Sequence, residues 1–288
     1  MVDGYKVVSV TPAGRQRFVE ILHKYLLDLR HIIDNHVWWI NTNNQSDIDY
    51  LESLVKEYPD FYSTKYLPNH PNYTFNNLNI HNFFDESVDE NTVYVRFDDD
   101  IVFIEKSEFE NFIKFRIKNP QYFLVYANIV NNNFCTFIHQ MIGAVGVGEH
   151  LELRELPLVD YKSFNQVIQS PNYTLRSFFD FIVSLNSGDL SNFKFNKWIF
   201  QNYERCSINC ISWLGSEFAK FDKVGLDEEP WLTSYKPRER SMKNCVYGNF
   251  LVVHYSYGGN VKHIDEHNDG YFLKIFDSIA ENMRKKND

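Results

Sequence analysis

Strand and helix signals alternate over the first 130 residues, and this alternation restricts the fold more than any other feature of the chain. Lys6 to Val10 is a short β-branched run, and Gly14 to Arg30 follows with Phe18, Ile21, Leu22, Tyr25, Leu26 and Leu29 at helical spacing. His36 to Ile40 repeats the strand signal and is stopped by Asn41-Thr-Asn-Asn44; Asp47 to Glu57 then places Ile48, Leu51, Leu54 and Val55 on one helical face. Tyr58 to Asn77, rich in Asn and Pro, reads as loop, Leu78 to Asp85 as a short helix, and Thr92 to Phe97 as a strand. Ser107 with Glu110 predicts a capping box for a helix that ends at Asn119-Pro120, and Tyr122 to Ala127 is a further strand. Such alternation predicts an α/β fold with a mostly parallel, Rossmann-like central sheet flanked by helices, whose ligands bind outside the carboxyl ends of the strands. Thr11 to Arg15, Asn41 to Asn44, Asp98 to Asp100 and Asn128 to Asn133 are the polar loops expected at that edge.

The second half is less regular. Gly143 to Glu155 reads as loop, Tyr161 to Gln169 and Leu175 to Leu185 as helices, and Ser207 to Trp213 as a strand leading into a helix from Ser216 to Phe221. Tyr247 to Tyr257 is a strand and Ile264 to Lys285 a terminal amphipathic helix. With no internal repeat and no Pro/Gly-rich linker, the 288 residues are expected to form one continuous domain.

Three consecutive aspartates, Asp98, Asp99 and Asp100, sit between two apolar runs that want to be buried. Buried charges need partners, so one carboxyl is protonated, or Arg or Lys pairs with them, or a divalent cation is held there. In extended backbone Asp98 and Asp100 point one way and Asp99 the other, which lets the outer pair share a ligand while Asp99 makes a separate contact. Mg2+ and Mn2+ take carboxylate oxygens and keep positions open for substrate phosphates, so a phosphate-bearing substrate follows. The competing reading is a solvated turn between two strands. Haloacid-dehalogenase phosphatases also carry such carboxylates, in a D-x-D-x-[TV] pattern directly after the first strand, and here the strand is not the first.

A net charge of -9 excludes a protein that works by wrapping nucleic acid. Four irregularly spaced cysteines, Cys135, Cys206, Cys210 and Cys245, describe no disulfide framework and are expected as buried thiols. The start of the chain does not read as a signal peptide and no apolar stretch is long enough for an integral membrane segment, so a cytoplasmic location is expected. On that expectation the glycosylation-type tripeptides at Asn72 and Asn172 and the terminal Lys285-Lys286 pair carry no meaning.

Val8 to Gln16 reads VSVTPAGRQ, Trp38 to Asn43 WWINTN, Tyr94 to Glu105 YVRFDDDIVFIE and Phe123 to Asn133 FLVYANIVNNN. Ile138 to Ala144 reads IHQMIGA, Asp227 to Thr233 DEEPWLT and Gly248 to Ser256 GNFLVVHYS. Together these stretches, spread over most of the chain, resemble the nucleotide-sugar glycosyltransferases of the GT-A fold with their D-x-D motif. The resemblance implies transfer of a sugar from a nucleotide diphosphate donor to a glycan or glycoconjugate acceptor, with Mn2+ or Mg2+ as cofactor. It implies a nucleotide-sugar-binding half, 1–133, and an acceptor-binding half, 134–288, of the same domain. Asp98, Asp100 and His254 would be the metal ligands, and Thr11, Pro12, Arg15, Asn41, Arg96, Asp98 and Asp99 would bind the nucleotide sugar. Among Asp227, Glu228 and Glu229, one of the two glutamates would take the proton of the acceptor hydroxyl, and Trp231 would stack on the acceptor. Ordinary structural roles remain open beside these: a first-turn residue for Arg15, a salt bridge for Arg96, a helix-end acidic patch at 227–229, and core positions for Trp231 and His254. A non-catalytic sugar or nucleotide binder of the same fold and a nucleotidyltransferase are the alternative functions.

Overall fold

The computed structural model describes residues 1–67, 80–147, 170–221, 227–255, 257–268 and 270–285. The alternating first half forms four parallel strands, β1 (Lys6–Ala13), β2 (Asn35–Ile40), β3 (Tyr62–Tyr66) and β4 (Thr92–Phe97), in the order β3-β2-β1-β4. Crossovers between parallel strands need a helix, supplied by α1 (Gln16–Asp28) and α2 (Gln45–Glu57). α1 buries Phe18, Ile21, Leu22, Tyr25 and Leu26, the face its spacing predicts. The Asn44 side chain caps α2 by accepting from Ser46 N at 3.1 Å.

Two local expectations fail here. Strand β3 lies within the segment read as loop, because Tyr62–Tyr66 is an edge strand whose one apolar anchor, Tyr62, is buried while Lys65 and Tyr66 stay exposed. Strand β1 runs on through Thr11, Pro12 and Ala13: its pairing with β4 ends at Val10, so Pro12 lies where only the β2 ladder continues.

The chain continues through β5 (Ile101–Ile104), α3 (Lys106–Lys118), β6 (Tyr122–Val130), α4 (Asn133–Met141) and α5 (Pro171–Asn186), then β7 (Lys197–Ile199), β8 (Cys210–Leu214) and β9 (Lys243–His254). All strands join one nine-stranded sheet, order β3-β2-β1-β4-β8-β6-β9-β5, with β7 paired to β9. β8 runs antiparallel between β4 and β6, β9 is parallel to β6, and β5 and β7 are antiparallel to β9. Six of the nine strands thus point one way, and one sheet spans both halves of a single α/β domain. The predicted capping box is absent: α3 starts at Lys106, one residue before Ser107, and the Glu105 carboxylate turns instead to Lys194 Nζ at 2.6 Å. The terminal amphipathic segment is two helices, Gly258–Asn268 and Tyr271–Lys285, separated at Gly270 with its positive φ of 63°. The helix expected at 161–169 lies outside the described residues. All four cysteines are buried and unpaired. Among the described residues no helix is long and apolar enough to cross a membrane.

Candidate functional site

The topology gathers five chain segments at one sheet edge. β1, β2 and β4 end there with Ala13, Ile40 and Phe97, and β6 and β9 end there with Val130 and His254. Because β8 and β5 run the other way, their first residues meet that edge: Cys210 pairs with Phe97 and Ile101 with His254. Asp98, Asp99 and Asp100 form the turn from β4 to β5, so the aspartate triplet faces residues from opposite ends of the sequence.

The clean alternation expected of the triplet is blurred in the turn, since Asp99 and Asp100 both pair with Arg15. Asp99 faces Arg15 and Gly14: Arg15 Nε donates to Asp99 Oδ1 at 3.1 Å, Arg15 Nη2 donates to the same oxygen, and Gly14 N donates to Oδ2 at 3.1 Å. Gly14 is required at this approach, since a Cβ there would lie 2.8 Å from the Asn41 carbonyl oxygen. Arg15 Nη2 also lies 3.1 Å from Asp100 Oδ2, and the guanidinium stays 40% exposed. Burial works against the Arg15 charge, but Asp100 and Asp99 outweigh it and raise its pKa. Burial raises the Asp99 carboxyl above its ordinary value in spite of Arg15.

Asp98 and Asp100 face the other way, with His254; one donor atom from each of the three lies within 4.8 Å of the others. His254 Nδ1 is 3.1 Å from the Asn131 carbonyl oxygen, which only accepts, so Nδ1 carries the proton. In the neutral ring Nε2 then presents its lone pair 3.4 Å from Asp100 Oδ1, a buried oxygen without a hydrogen-bond partner. Two electron-rich atoms at that spacing need a proton or a cation between them. Burial opposes the charge on both groups, yet Asp100 raises the His254 pKa, and Arg15 with His254 holds the Asp100 carboxyl well below the usual range. A carboxylate and imidazole donor set of this kind fits Mn2+, and its oxygens fit Mg2+.

Arg96 connects this cluster to the acidic stretch after residue 226. Its Nε donates to Asp98 Oδ1 at 2.8 Å, its Nη2 lies 2.7 Å from the same oxygen, and its Nη1 lies 3.7 Å from Glu228 Oε1. Glu228 is buried, and burial pushes its carboxyl up to about 7 against the pull of Arg96. Glu229 is raised by burial too, against the pull of Arg205, whose Nε donates to it at 2.7 Å, while Asp227 is exposed. The helical stretches Glu228–Pro230 and Trp231–Tyr235 follow, the second a wide π turn. Trp231 is half-buried, its ring edge-on to Phe221 at 5.7 Å and under Lys236 Nζ at 5.5 Å. Thr11 and Pro12 are buried at the end of β1, with Thr11 Oγ1 lacking a partner, and Asn41 N donates to Ala13 O at 2.8 Å. Beside Arg15 a cleft of about 400 Å3 is lined by Gly14, Arg15, Gln16, Arg17, Glu20 and Asp47.

Asn131 and Asn132, from the polar loop expected at this edge, and Asn209, which the sequence did not mark, complete the surroundings. Asn131, at a positive φ of 62°, donates from Nδ2 to the carbonyls of His254 and Tyr255 at 3.0 and 2.9 Å. Asn132 caps α4, accepting from Phe134 N and Cys135 N, and its Nδ2 donates to Asn209 Oδ1 at 3.0 Å. Asn209 Nδ2 donates in turn to Asp98 Oδ2 at 3.0 Å. The run of three Asn at the end of β6 was the available signal for two of them; nothing in the sequence marks Asn209.

No family model matches the chain, and no curated protein does. Among solved structures it is similar to a CMP:2-keto-3-deoxy-manno-octonic acid synthetase complexed with CTP, at 9% identity over 96% of this chain and 99% of that one, with a TM-score of 0.47. It is also similar to a mannose-6-phosphate isomerase from Helicobacter pylori, at 16% identity over 43% of this chain, with a TM-score of 0.32. A 4-diphosphocytidyl-2C-methyl-D-erythritol synthase matches at 9% identity over 42% of this chain, with a TM-score of 0.31. The chain spans 50% of the isomerase and 59% of the synthase. These likenesses assign no residue of the site.

Proposed function

We propose that the protein is a divalent-cation-dependent glycosyltransferase that moves a sugar from a nucleotide diphosphate donor to a hydroxyl of a glycan or glycoconjugate. The observation that carries this reading is the buried Asp100 Oδ1, which has no hydrogen-bond partner and lies 3.4 Å from His254 Nε2, with Asp98 in reach. Asp98, Asp100 and His254 would hold Mn2+ or Mg2+, which supplies charge neutralisation to a departing diphosphate. Arg15, held by Asp99 and open to the cleft beside it, offers its guanidinium to a phosphate oxygen. Thr11, Pro12, Asn41 and Arg96 belong to the edge on which 1–133 would bind the donor. Glu228 has the environment of a general base: a carboxyl near 7 takes a proton readily at neutral pH, and Arg96 next to it stabilises the ionised form before the acceptor arrives. Glu229, tied to Arg205, is less free for that role, and Trp231 would offer a ring face to the acceptor in 134–288.

The test is thermal melting with Mn2+, nucleoside diphosphates and nucleotide sugars, together and singly, for wild type and Asp100→Ala. A ligand at about 100 times its Kd stabilises the native state by about 2.7 kcal/mol, so Mn2+ with the matching nucleotide raises Tm in the wild type and not in the variant. No shift with any combination rejects the reading. Pyrophosphate released from a nucleoside triphosphate would identify a nucleotidyltransferase on the same site, and a shift without turnover a binding protein.

A further inference from the structure

We propose that Asn209 is a positioning residue for the cation site, aiming one particular oxygen of Asp98 at the ion; the inference rests on the cation reading above. The two oxygens of Asp98 are not equivalent. Oδ1 accepts from Arg96 Nε at 2.8 Å and lies 2.7 Å from Arg96 Nη2, so the guanidinium covers it. Oδ2 accepts one N–H group, from Asn209 Nδ2 at 3.0 Å, and keeps a lone pair. Oδ2 is therefore the ligating atom, and Asn209 sets its direction.

The amide of Asn209 has one permitted orientation. Asn132 Nδ2 donates to Asn209 Oδ1 at 3.0 Å, and Asn132 cannot turn over because its own oxygen caps α4 at Phe134 N and Cys135 N. Turning the Asn209 amide would set NH2 against NH2 on one side and a carbonyl against the Asp98 carboxylate on the other. The backbone fixes the same pair, since Asp98 N donates to Asn209 O at 2.8 Å where β4 meets β8, and Asn209 is 5% exposed. An N-cap, two amides and a carboxylate thus form a rigid relay from the start of α4 to the ion.

The experiment titrates Mn2+ into the ion-free whole chain and counts unbound ion by its electron paramagnetic resonance signal, for wild type, Asp100→Ala, Asn209→Ala and Asn132→Asp. The wild type binds and Asp100→Ala loses the site. Asn209→Ala binds about 10- to 100-fold more weakly, the usual effect of removing a group that orients a metal ligand. Asn132→Asp keeps the cap oxygen but reverses the demand on the Asn209 amide, and weakens binding in the same range. A purely structural Asn209 lowers the melting temperature of the ion-free protein and leaves Mn2+ affinity alone. Wild-type affinity in Asn209→Ala, with the site lost in Asp100→Ala, overturns the role and leaves the cation site standing. Should Asn209→Ala not fold, wild-type affinity in Asn132→Asp overturns it equally. A wild type that binds no Mn2+, or binding that survives Asp100→Ala, removes the cation site and the role with it.

Discussion

Glu228 and Asp100 are both buried carboxyls, and their neighbours drive them apart. Burial raises both, but Arg15 and His254 reverse this for Asp100, whereas Arg96 only moderates it for Glu228. One stays ionised and suits a cation; the other titrates near neutrality and suits proton transfer. A base must be unprotonated to act, so transfer activity should rise with pH through about 7, the value set for Glu228. Replacing Glu228 by Gln should lower kcat by about 100- to 10,000-fold and remove that rising limb. An unchanged pH–rate profile in the variant would take the base role away from Glu228.

At the scale of elements, the site depends on how closely strand ends approach. A methyl group on Gly14 meets the Asn41 carbonyl at 2.8 Å, and any shift that relieves it lengthens the bond from Gly14 N to Asp99. Gly14→Ala should therefore cost about 1–3 kcal/mol of stability, as overpacking does elsewhere, measured by urea unfolding. A cost near zero would show that the β1–α1 turn moves freely. The alternating strands and helices were legible because each helix buries one face while the central strands read as apolar runs buried on both. Strand β3 was not legible, since an edge strand with exposed Lys65 and Tyr66 reads as polar loop. The capping box at Ser107 was misread because a helix start is decided within one residue, and Glu105 has a tertiary partner in Lys194. The Arg15–Asp99 pair joins residues 84 apart, and Asn209 lies 111 from Asp98; local patterns carry no information about contacts at that range.

For the molecule as a whole, the buried histidines set a prediction for acid stability. Burial lowers the pKa of His23 to about 4 and of His139 to about 3, and places His36 well below its ordinary 6.5. The unfolded chain takes up these protons near 6.5 and the folded chain does not, so the stabilisation is present above 6.5 and lost as pH falls towards 4. Between pH 6.5 and 5 His36 and His139 should each cost up to about 2 kcal/mol, at 1.36 kcal/mol per unit, while the raised Glu228 and His254 act in the opposite sense. Replacing His139 by Gln should remove its share of the pH dependence of the urea midpoint over that interval; an unchanged dependence would mean that the ring is protonated in the fold.

The place of β9 in the sheet has a consequence for how the protein is made. β9 is the last of the described strands in sequence, yet it lies between β6 and β5, and among the described strands β5 pairs with β9 alone. During synthesis, Ile101–Ile104 and the Asp100 that precedes it must wait, edge unpaired, until Lys243–His254 has left the ribosome. The nascent chain can build β1 to β4 early but holds no cation ligand from His254 until β9 has emerged. A ribosome-stalled chain ending before Lys243 should thus be cut by protease near 101–105 and ignore Mn2+, while release of a chain that includes β9 confers protection and ion binding together.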